Sequence, residues 1–260
     1  MSEPALGGIG VLVTRPAHQS ADLIAAIEAE GGTAISFPVM DIVGRDPAVV
    51  ESELAALRPA DIVIFVSANA VDHGLLALGA GRPAVAVVGP ATARALEDAG
   101  IPVDIRPAAA FDSEHLLAEP ALVSVAGKTV TIVRGESGRE LIAETLRARG
   151  ARVQYLSVYR RIPHEFAQQE TDDIEEAWLG GRIHAVVIMS VAAFSALCES
   201  LPLSCAGVLR TARLVAPSER VIKTIQERLP DARCILAPGP QAADVVGALV
   251  ASLRYDPVHR

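Results

Sequence analysis

Short apolar runs alternate along the chain with longer segments in which apolar positions recur every three or four residues. Most of the short runs are apolar on both faces, which is typical of parallel strands covered by helices on both sides. The longer segments end at glycine, as helices commonly do. The pattern predicts strands at residues 11–14, 34–37, 62–66, 84–88, 103–105, 129–133, 152–156, 185–189, 213–216 and 234–236, and helices at 20–30, 92–99 and 139–149.

Strands that alternate with helices through short links predict an α/β fold with mainly parallel sheets. The chain has 260 residues, enough for two domains with separate cores. Aromatic residues make up only 3% of the chain, so alanine, valine, isoleucine and leucine must form most of the core.

The chain repeats itself in the order A-B-A′-B′. The runs GVLVTRP and KTVTIVRG, each followed by a helix and a glycine, align Arg15 with Arg134 and Gly32 with Gly150. The runs DIVIFVSANAV and HAVVIMSVAAF form the second pair. This pattern suggests duplication but leaves open which units pack together, and pairing of consecutive units is the simplest choice.

Charge and cysteine content narrow the function classes. A formal net charge of −8 argues against general binding to nucleic acid or to an anionic membrane, but permits an anionic small molecule at a locally basic site. Three cysteines without C-x-x-C spacing predict free thiols in a reducing compartment. The chain lacks a leader pattern and an apolar run of membrane-spanning length, so we expect a cytoplasmic protein, and we expect a monomer.

Several familiar motifs are missing from the sequence. It contains no P-loop, no paired-histidine zinc motif and no G-x-S-x-G elbow. The run GAGRPA fits G-x-G-x-x-A, but it precedes a predicted strand, and Pro83 opposes a helix start there. We therefore predict neither a nucleotide site nor a metal site.

Small hydroxyl residues follow four predicted strands, at Ser67, Thr92, Ser190 and Ser218. Ligands of parallel α/β sheets bind beyond the carboxyl ends of the strands, where helix N-termini favour anions. These hydroxyls are candidates for binding carboxylates. The alternative is helix capping alone, for which serine and threonine are preferred in any case.

Arginines and one tyrosine occupy similar places. Arg15, Arg134 and Arg139 lie just beyond strand ends and could clamp carboxylates bidentately, or could form structural ion pairs with nearby acidic residues. Tyr159 follows the strand predicted at 152–156. Its phenol is either packing or a candidate proton donor.

The runs VLVTRPAHQSADLIAAIEAEGG, VVGPATARALEDAG and above all VRGESGRELIAETLRARGARVQYLSVYRR resemble the bacterial uroporphyrinogen-III synthases. The resemblance covers almost the whole chain and is weaker after residue 200. There the usual Gly-Pro-Thr-Thr corner reads Ala-Pro-Ser-Glu at 216–219, so Glu219 replaces a small hydroxyl residue.

The resemblance implies two doubly wound α/β domains with parallel sheets, joined by a two-stranded antiparallel linker. The first unit of the repeat would pair with the last. The implied bounds are 1–37 with 163–260 for one domain, 44–157 for the other, and 38–43 with 158–162 for the linkers.

The resemblance also implies a reaction, the cyclisation of hydroxymethylbilane to uroporphyrinogen III with loss of water and inversion of ring D. No metal or organic cofactor is implied. Tyr159 would assist departure of the hydroxyl group. Ser67, Thr92, Ser190, Ser218, Arg15, Arg134 and Arg139 would bind the substrate carboxylates. Transient contact with neighbouring enzymes of tetrapyrrole biosynthesis is a further expectation.

Three other interpretations remain at this point. A two-lobed ligand-binding protein shares the pattern, but the sequence shows neither a leader nor a DNA-binding appendage. A domain that kept the fold and became a scaffold is compatible with the altered corner at Ser218. A flavodoxin-like electron carrier is disfavoured by the scarcity of aromatic residues to stack on a flavin.

Overall fold

The computed structural model describes residues 4–79, 81–108, 111–138 and 140–254. The chain divides into two compact units. Unit 1 comprises Met1–Asp41 and Ile162–Arg260, and unit 2 comprises Ile42–Arg161. Each unit is built on one five-stranded sheet.

The strands are short and, in the interior of each sheet, largely buried. They are β1 (Gly10–Val13), β2 (Thr33–Ser36), β3 (Met40–Gly44), β4 (Ile62–Phe65), β5 (Ala84–Val87), β6 (Thr129–Gly135), β7 (Arg152–Pro163), β8 (Ala185–Val187), β9 (Arg213–Ala216) and β10 (Arg233–Leu236).

The α-helices form the connections between the strands. Three of them begin with proline, which is tolerated at the first helical position because the N–H group of that residue has no partner within the helix. They are α1 (Ala21–Ala29), α2 (Pro47–Ala56), α3 (Ala68–Gly74), α4 (Pro90–Asp98), α5 (Ser113–Ala118), α6 (Pro120–Val123), α7 (Leu141–Ala148), α8 (Gln168–Leu179), α9 (Val191–Ser200), α10 (Ala206–Leu209), α11 (Glu219–Arg228) and α12 (Ala242–Arg254).

The sheet of unit 2 has the order β3-β7-β6-β4-β5. Strands β7, β6, β4 and β5 run parallel, and the ladder between β6 and β7 shifts register at Arg134/Gly135. Helices α2, α3 and α4 cover one face with side chains such as Val50, Val71 and Leu96. Helices α5, α6 and α7 cover the other face.

The sheet of unit 1 has the order β10-β9-β8-β1-β2, and all its strand pairs are parallel. Helices α1 and α12 cover one face with Leu23 and Leu249. Helices α8, α9 and α11 cover the other with Trp178, Leu197 and Ile225. Burying each such large side chain stabilises the fold by ~1.5–3 kcal/mol, so few aromatic residues are needed.

The predicted α/β class with mainly parallel sheets is confirmed. Nine of the ten predicted strands overlap observed strands, eight of them to within two residues at each end. The prediction at 103–105 is wrong, because that segment is irregular apart from one bridge between Ile105 and Ala86. The strand predicted at 152–156 extends to Pro163, past the point where the apolar run ends.

The repeat alignment needs a correction of one residue. Helices α1 and α7 each end two residues before a glycine with positive φ, Gly31 at +82° and Gly150 at +84°. A glycine adopts this left-handed backbone without the clash that a Cβ would cause. The equivalent of Gly150 is therefore Gly31, and the alignment of Gly32 with Gly150 is wrong.

Candidate active site

The strand order of unit 2 diverges between β4 and β6. The chain continues from β4 to β5 on one side and from β6 to β7 on the other. The helices that follow β4 and β6 consequently pack on opposite faces and leave a crevice at the carboxyl ends of these strands. Such switch points are where α/β proteins bind ligands.

A cavity of about 190 Å³ lies at this switch point, wholly within unit 2. Apolar strand ends, including Val66 and Ile132, form part of its lining. The polar side chains of the lining are those of Ser67, Ser113, Arg134, Ser137, Tyr159 and Arg161. Three residues predicted from the sequence, Ser67, Arg134 and Tyr159, therefore meet at one site.

Tyr159 lies on β7 and is only 2% exposed. Its Oη atom is 3.2 Å from Oγ of Ser67 and accepts a hydrogen bond from Nη2 of Arg161 at 3.1 Å. The ring packs on Gly135, where a Cβ atom would come within 2.8 Å of the ring carbon Cε2. The absence of a side chain at 135 thus lets the phenol enter the cavity.

Ser67 is the N-cap residue of α3. Its extended backbone lets Oγ accept a hydrogen bond from the backbone N–H of Ala70 at 3.2 Å. The same oxygen contacts the Tyr159 hydroxyl. Both expected roles therefore meet in one side chain, which caps a helix and faces the cavity.

Arg134 is 7% exposed and has a carboxylate partner. Its Nη1 atom donates to Oε1 of Glu140 at 2.7 Å, and its guanidinium lies 4.9 Å from the ring centroid of Tyr155. Tyr155 also donates to Glu140. These bonds, from Tyr155 and then from Arg134, hold the pKa of Glu140 below its usual value. The sequence allowed Arg134 either to bind a ligand carboxylate or to form a structural ion pair. The structure shows the ion pair, with Glu140, and Arg134 also lines the cavity.

The two remaining predictions in unit 2 have different outcomes. Thr92 lies in the first turn of α4, is 4% exposed, and is outside the lining of the cavity. Arg139 lies outside the described residues.

The corresponding switch point of unit 1 lies between β1 and β8. Arg15 follows β1, and burial lowers the pKa of its guanidinium, an effect that the charge of Asp22 partly offsets. No hydrogen bond or close ion pair joins this guanidinium to another described residue. Ser190 caps α9 by accepting the backbone N–H of Ala193 at 3.1 Å.

The third serine of unit 1 is differently placed. Ser218 occupies the N-cap position of α11 and is exposed, but its hydroxyl makes no capping bond within the described part of the chain. Glu219 begins the helix. The hydroxyl of Ser218 therefore lies at the start of a helix but does not cap it.

Sequence reasoning missed Arg161, although a signal for it was present. Side chains two residues apart on a strand point to the same face. A strand that continues through Tyr159 therefore places Arg161 beside it. The apolar pattern places the strand end at residue 156, and the resemblance assigns 158–162 only as a linker, so neither predicts a contact between Arg161 and Tyr159. Gly135, which accommodates the ring, was missed because the register shift that positions it is a tertiary feature.

No described helix combines the length and apolar character that crossing a membrane requires. Across residues 4–79, 81–108, 111–138 and 140–254, no group of three His, Cys, Asp or Glu side chains is placed to hold a metal ion.

Comparisons with known proteins point to one family. A family model described as uroporphyrinogen-III synthase HemD matches residues 21–246. The uroporphyrinogen-III synthase of Salmonella typhimurium is 35% identical over 192 residues, which cover 70% of this chain and 76% of that protein. The Escherichia coli enzyme of the same name is 30% identical over 236 residues, 84% of this chain and 91% of that protein.

A solved structure is similar in fold. The crystal structure of uroporphyrinogen-III synthetase from Helicobacter pylori superimposes with a TM-score of 0.61 at 14% identity, covering 95% of this chain and 100% of that one. At this level of identity the likeness concerns the α/β fold alone.

Proposed function

The chain belongs to the uroporphyrinogen-III synthase family, and from this membership we propose that it cyclises hydroxymethylbilane to uroporphyrinogen III with inversion of ring D. It is an enzyme of tetrapyrrole and heme biosynthesis. The observation that carries the proposal is the match over residues 21–246, which contains the cavity with Tyr159.

The reaction is a dehydration followed by ring closure. The phenol of Tyr159 gives its proton to the terminal hydroxyl of the substrate, the C–O bond breaks, and water leaves. The resulting azafulvene cation forms a carbon–carbon bond to the substituted α-carbon of ring D, giving a spiro intermediate. The original bond between that carbon and the methylene bridge to ring C then breaks, which leaves a second azafulvene cation on ring C. This cation closes on the free α-carbon of ring D, so that the ring is inverted, and the proton lost from that carbon returns to the tyrosinate.

Catalysis then depends mainly on orientation. Hydroxymethylbilane cyclises unaided to the symmetrical isomer I, so the enzyme must hold the reacting carbons in the geometry that gives isomer III. The proton donor is buried and held by two hydrogen bonds, which suits this task. We expect loss of any one site residue to weaken activity without abolishing it.

Eight substrate carboxylates need polar partners. The hydroxyls of Ser67, Thr92, Ser190 and Ser218 and the guanidiniums of Arg15, Arg134 and Arg139 are the proposed set. Arg15 is the strongest arginine candidate, because its half-buried charge has no close partner among the described side chains. Arg134 is the weaker candidate, because Glu140 already neutralises it.

We further propose the domain bounds 1–37 with 163–260 and 44–157, with 38–43 and 158–162 as an antiparallel linker pair. Support comes from β3 and β7, which are neighbours. The backbone N–H of Arg45 donates to the carbonyl of Val158, and that of His164 donates to the carbonyl of Val39. Residue numbers thus rise on one strand as they fall on the other, as in an antiparallel pair.

The setting of the enzyme is also a proposal. The three described cysteines are free thiols, and burial raises the pKa of each above its usual value. Such thiols suit a reducing compartment, so we propose a cytoplasmic enzyme. We further propose that it is a monomer in transient contact with neighbouring enzymes of the pathway.

A coupled product assay tests the function. Hydroxymethylbilane is generated in situ by its own synthase, the protein is added, and the oxidised uroporphyrin isomers are separated by chromatography. We expect isomer III to predominate. Isomer I alone, from protein shown to be folded, would instead support the non-catalytic ligand-binding or scaffold alternative.

A further inference from the structure

Arg161 contacts the proposed proton donor directly. Its Nη2 atom lies 3.1 Å from Oη of Tyr159, and its guanidinium carbon lies 5.5 Å from the centroid of the same ring. The side chain also lines the cavity. The two residues occupy one face of β7, two positions apart.

The guanidinium of Arg161 forms no ion pair with another residue in the described structure. Arg134 and Arg161 line the same cavity, and Arg134 is paired with Glu140 at 2.7 Å. No described carboxylate lies within ion-pair distance of Arg161. Water reaches this exposed side chain and screens its charge, and a ligand that fills the cavity would reduce that screening.

The contact with Arg161 fixes the direction of the hydrogen bonds at Tyr159. Arginine has donors only, so the oxygen of Tyr159 must accept the bond from Arg161. The oxygen of Ser67 likewise accepts the backbone N–H of Ala70. The two hydroxyls have one proton each, and one hydrogen bond joins their oxygens. Either hydroxyl can be the donor in that bond. When Ser67 donates to Tyr159, the phenol proton has no acceptor among the described residues and can point into the cavity.

We propose that Arg161 is a positioning residue, which holds the Tyr159 hydroxyl as a donor and stabilises the negative charge that develops on its oxygen as the proton leaves. A fixed positive group beside a developing oxyanion is a common source of transition-state stabilisation. The inference rests on the proposed function, in which Tyr159 supplies the proton.

The contact is first tested without turnover. Protein labelled with ¹³C at the tyrosine Cζ position is examined by NMR, and the Tyr159 resonance is assigned by its loss in Tyr159→Phe. We expect this resonance to shift in Arg161→Gln and to stay in place in Arg160→Gln. Arg160 is the matched control, because it is exposed and its guanidinium makes no hydrogen bond, ion pair or ring contact with another described residue. An unmoved resonance in Arg161→Gln overturns the inference, whether or not the proposed function holds.

Kinetics then separate positioning from substrate binding. With formation of isomer III as the readout, we expect Arg161→Gln to lower kcat about tenfold with little change in KM, the loss typical of one charge-assisted hydrogen bond. Arg161→Lys keeps the charge and should recover part of kcat; it also serves if Arg161→Gln fails to fold. A raised KM with unchanged kcat would show that Arg161 only binds carboxylates. A wild-type protein that makes no isomer III would instead refute the proposed function.

Discussion

Each sheet carries one arginine and one helix-capping serine where its strand order diverges. In unit 2 these are Arg134 and Ser67, and in unit 1 they are Arg15 and Ser190. The order A-B-A′-B′ explains this correspondence, because each unit combines one A-type strand bearing the arginine with one B-type strand bearing the serine.

The two switch points differ in how these groups are used. In unit 2 Arg134 is neutralised by Glu140, and Ser67 contacts a buried phenol. In unit 1 Arg15 has no close partner among the described side chains, and Ser190 is exposed. We propose a division of labour in which Tyr159 of unit 2 supplies the proton and Arg15 of unit 1 binds a substrate carboxylate.

The sharpest prediction of this division concerns the two tyrosines of β7. Tyr159→Phe removes the proposed proton donor and should lower kcat for isomer III about 100-fold, at the lower end of the range for a general acid. Tyr155→Phe is the matched control, because its phenol binds Glu140. Chromatography of the isomers, with the spontaneous formation of isomer I subtracted, gives both rates.

Two results would contradict this expectation. Equal losses in the two variants would mean that the phenols matter through packing of unit 2. Complete loss of activity in Tyr159→Phe, with the fold and substrate binding retained, would mean that catalysis is concentrated in one group.

The next prediction concerns the space in which the Tyr159 ring lies. Gly135→Ala places a Cβ atom within 2.8 Å of that ring, so the ring must move, and we expect about a tenfold fall in kcat with a stability loss of ~1–3 kcal/mol. Gly247→Ala, in α12 of unit 1, meets nothing within 4 Å and should be neutral or stabilising. Thermal denaturation and the isomer assay measure both effects. An unchanged kcat in Gly135→Ala would show that the ring position is not critical.

The paired arginines give the third prediction. Arg15→Gln should raise KM about fivefold, equivalent to roughly 1 kcal/mol, and should leave thermal stability almost unchanged. Arg134→Gln should lower Tm, because Glu140 and Tyr155 lose the guanidinium between them. The reverse pattern, with a lower Tm for Arg15→Gln and a raised KM for Arg134→Gln, would exchange the roles of the two units.

Much of the fold could be predicted because its strands are buried. Parallel strands covered on both faces appear in sequence as continuous apolar runs, so most strands and the α/β class were predicted. The end of β7 was not, because beyond Leu156 the run becomes Ser-Val-Tyr-Arg-Arg, where polar and apolar residues are mixed. The segment 103–105 shows the opposite failure. It reads Val-Asp-Ile, and in sequence a β-branched segment that forms a single bridge cannot be told from a short strand.

The site could be predicted only in part, for a related reason. Residues just beyond strand ends are identifiable from pattern alone, which gave Ser67 and Arg134. Whether an arginine there is paired depends on a partner such as Glu140, whose position follows from the local path of the chain. The contact of Arg161 with Tyr159 required the true length of β7.

The smallest expected effect separates the two capping serines. Glycine at an N-cap costs only a few tenths of a kcal/mol, so Ser67→Gly and Ser190→Gly remove the hydroxyls while largely preserving the helices. Both should keep Tm nearly unchanged. Ser67→Gly should lower kcat about threefold, the value of one neutral hydrogen bond, because Tyr159 loses a partner. Ser190→Gly should affect only KM, because its hydroxyl contacts no other described side chain. Equal falls in kcat would mean that proton delivery depends on both switch points, and the proposed division of labour would be wrong.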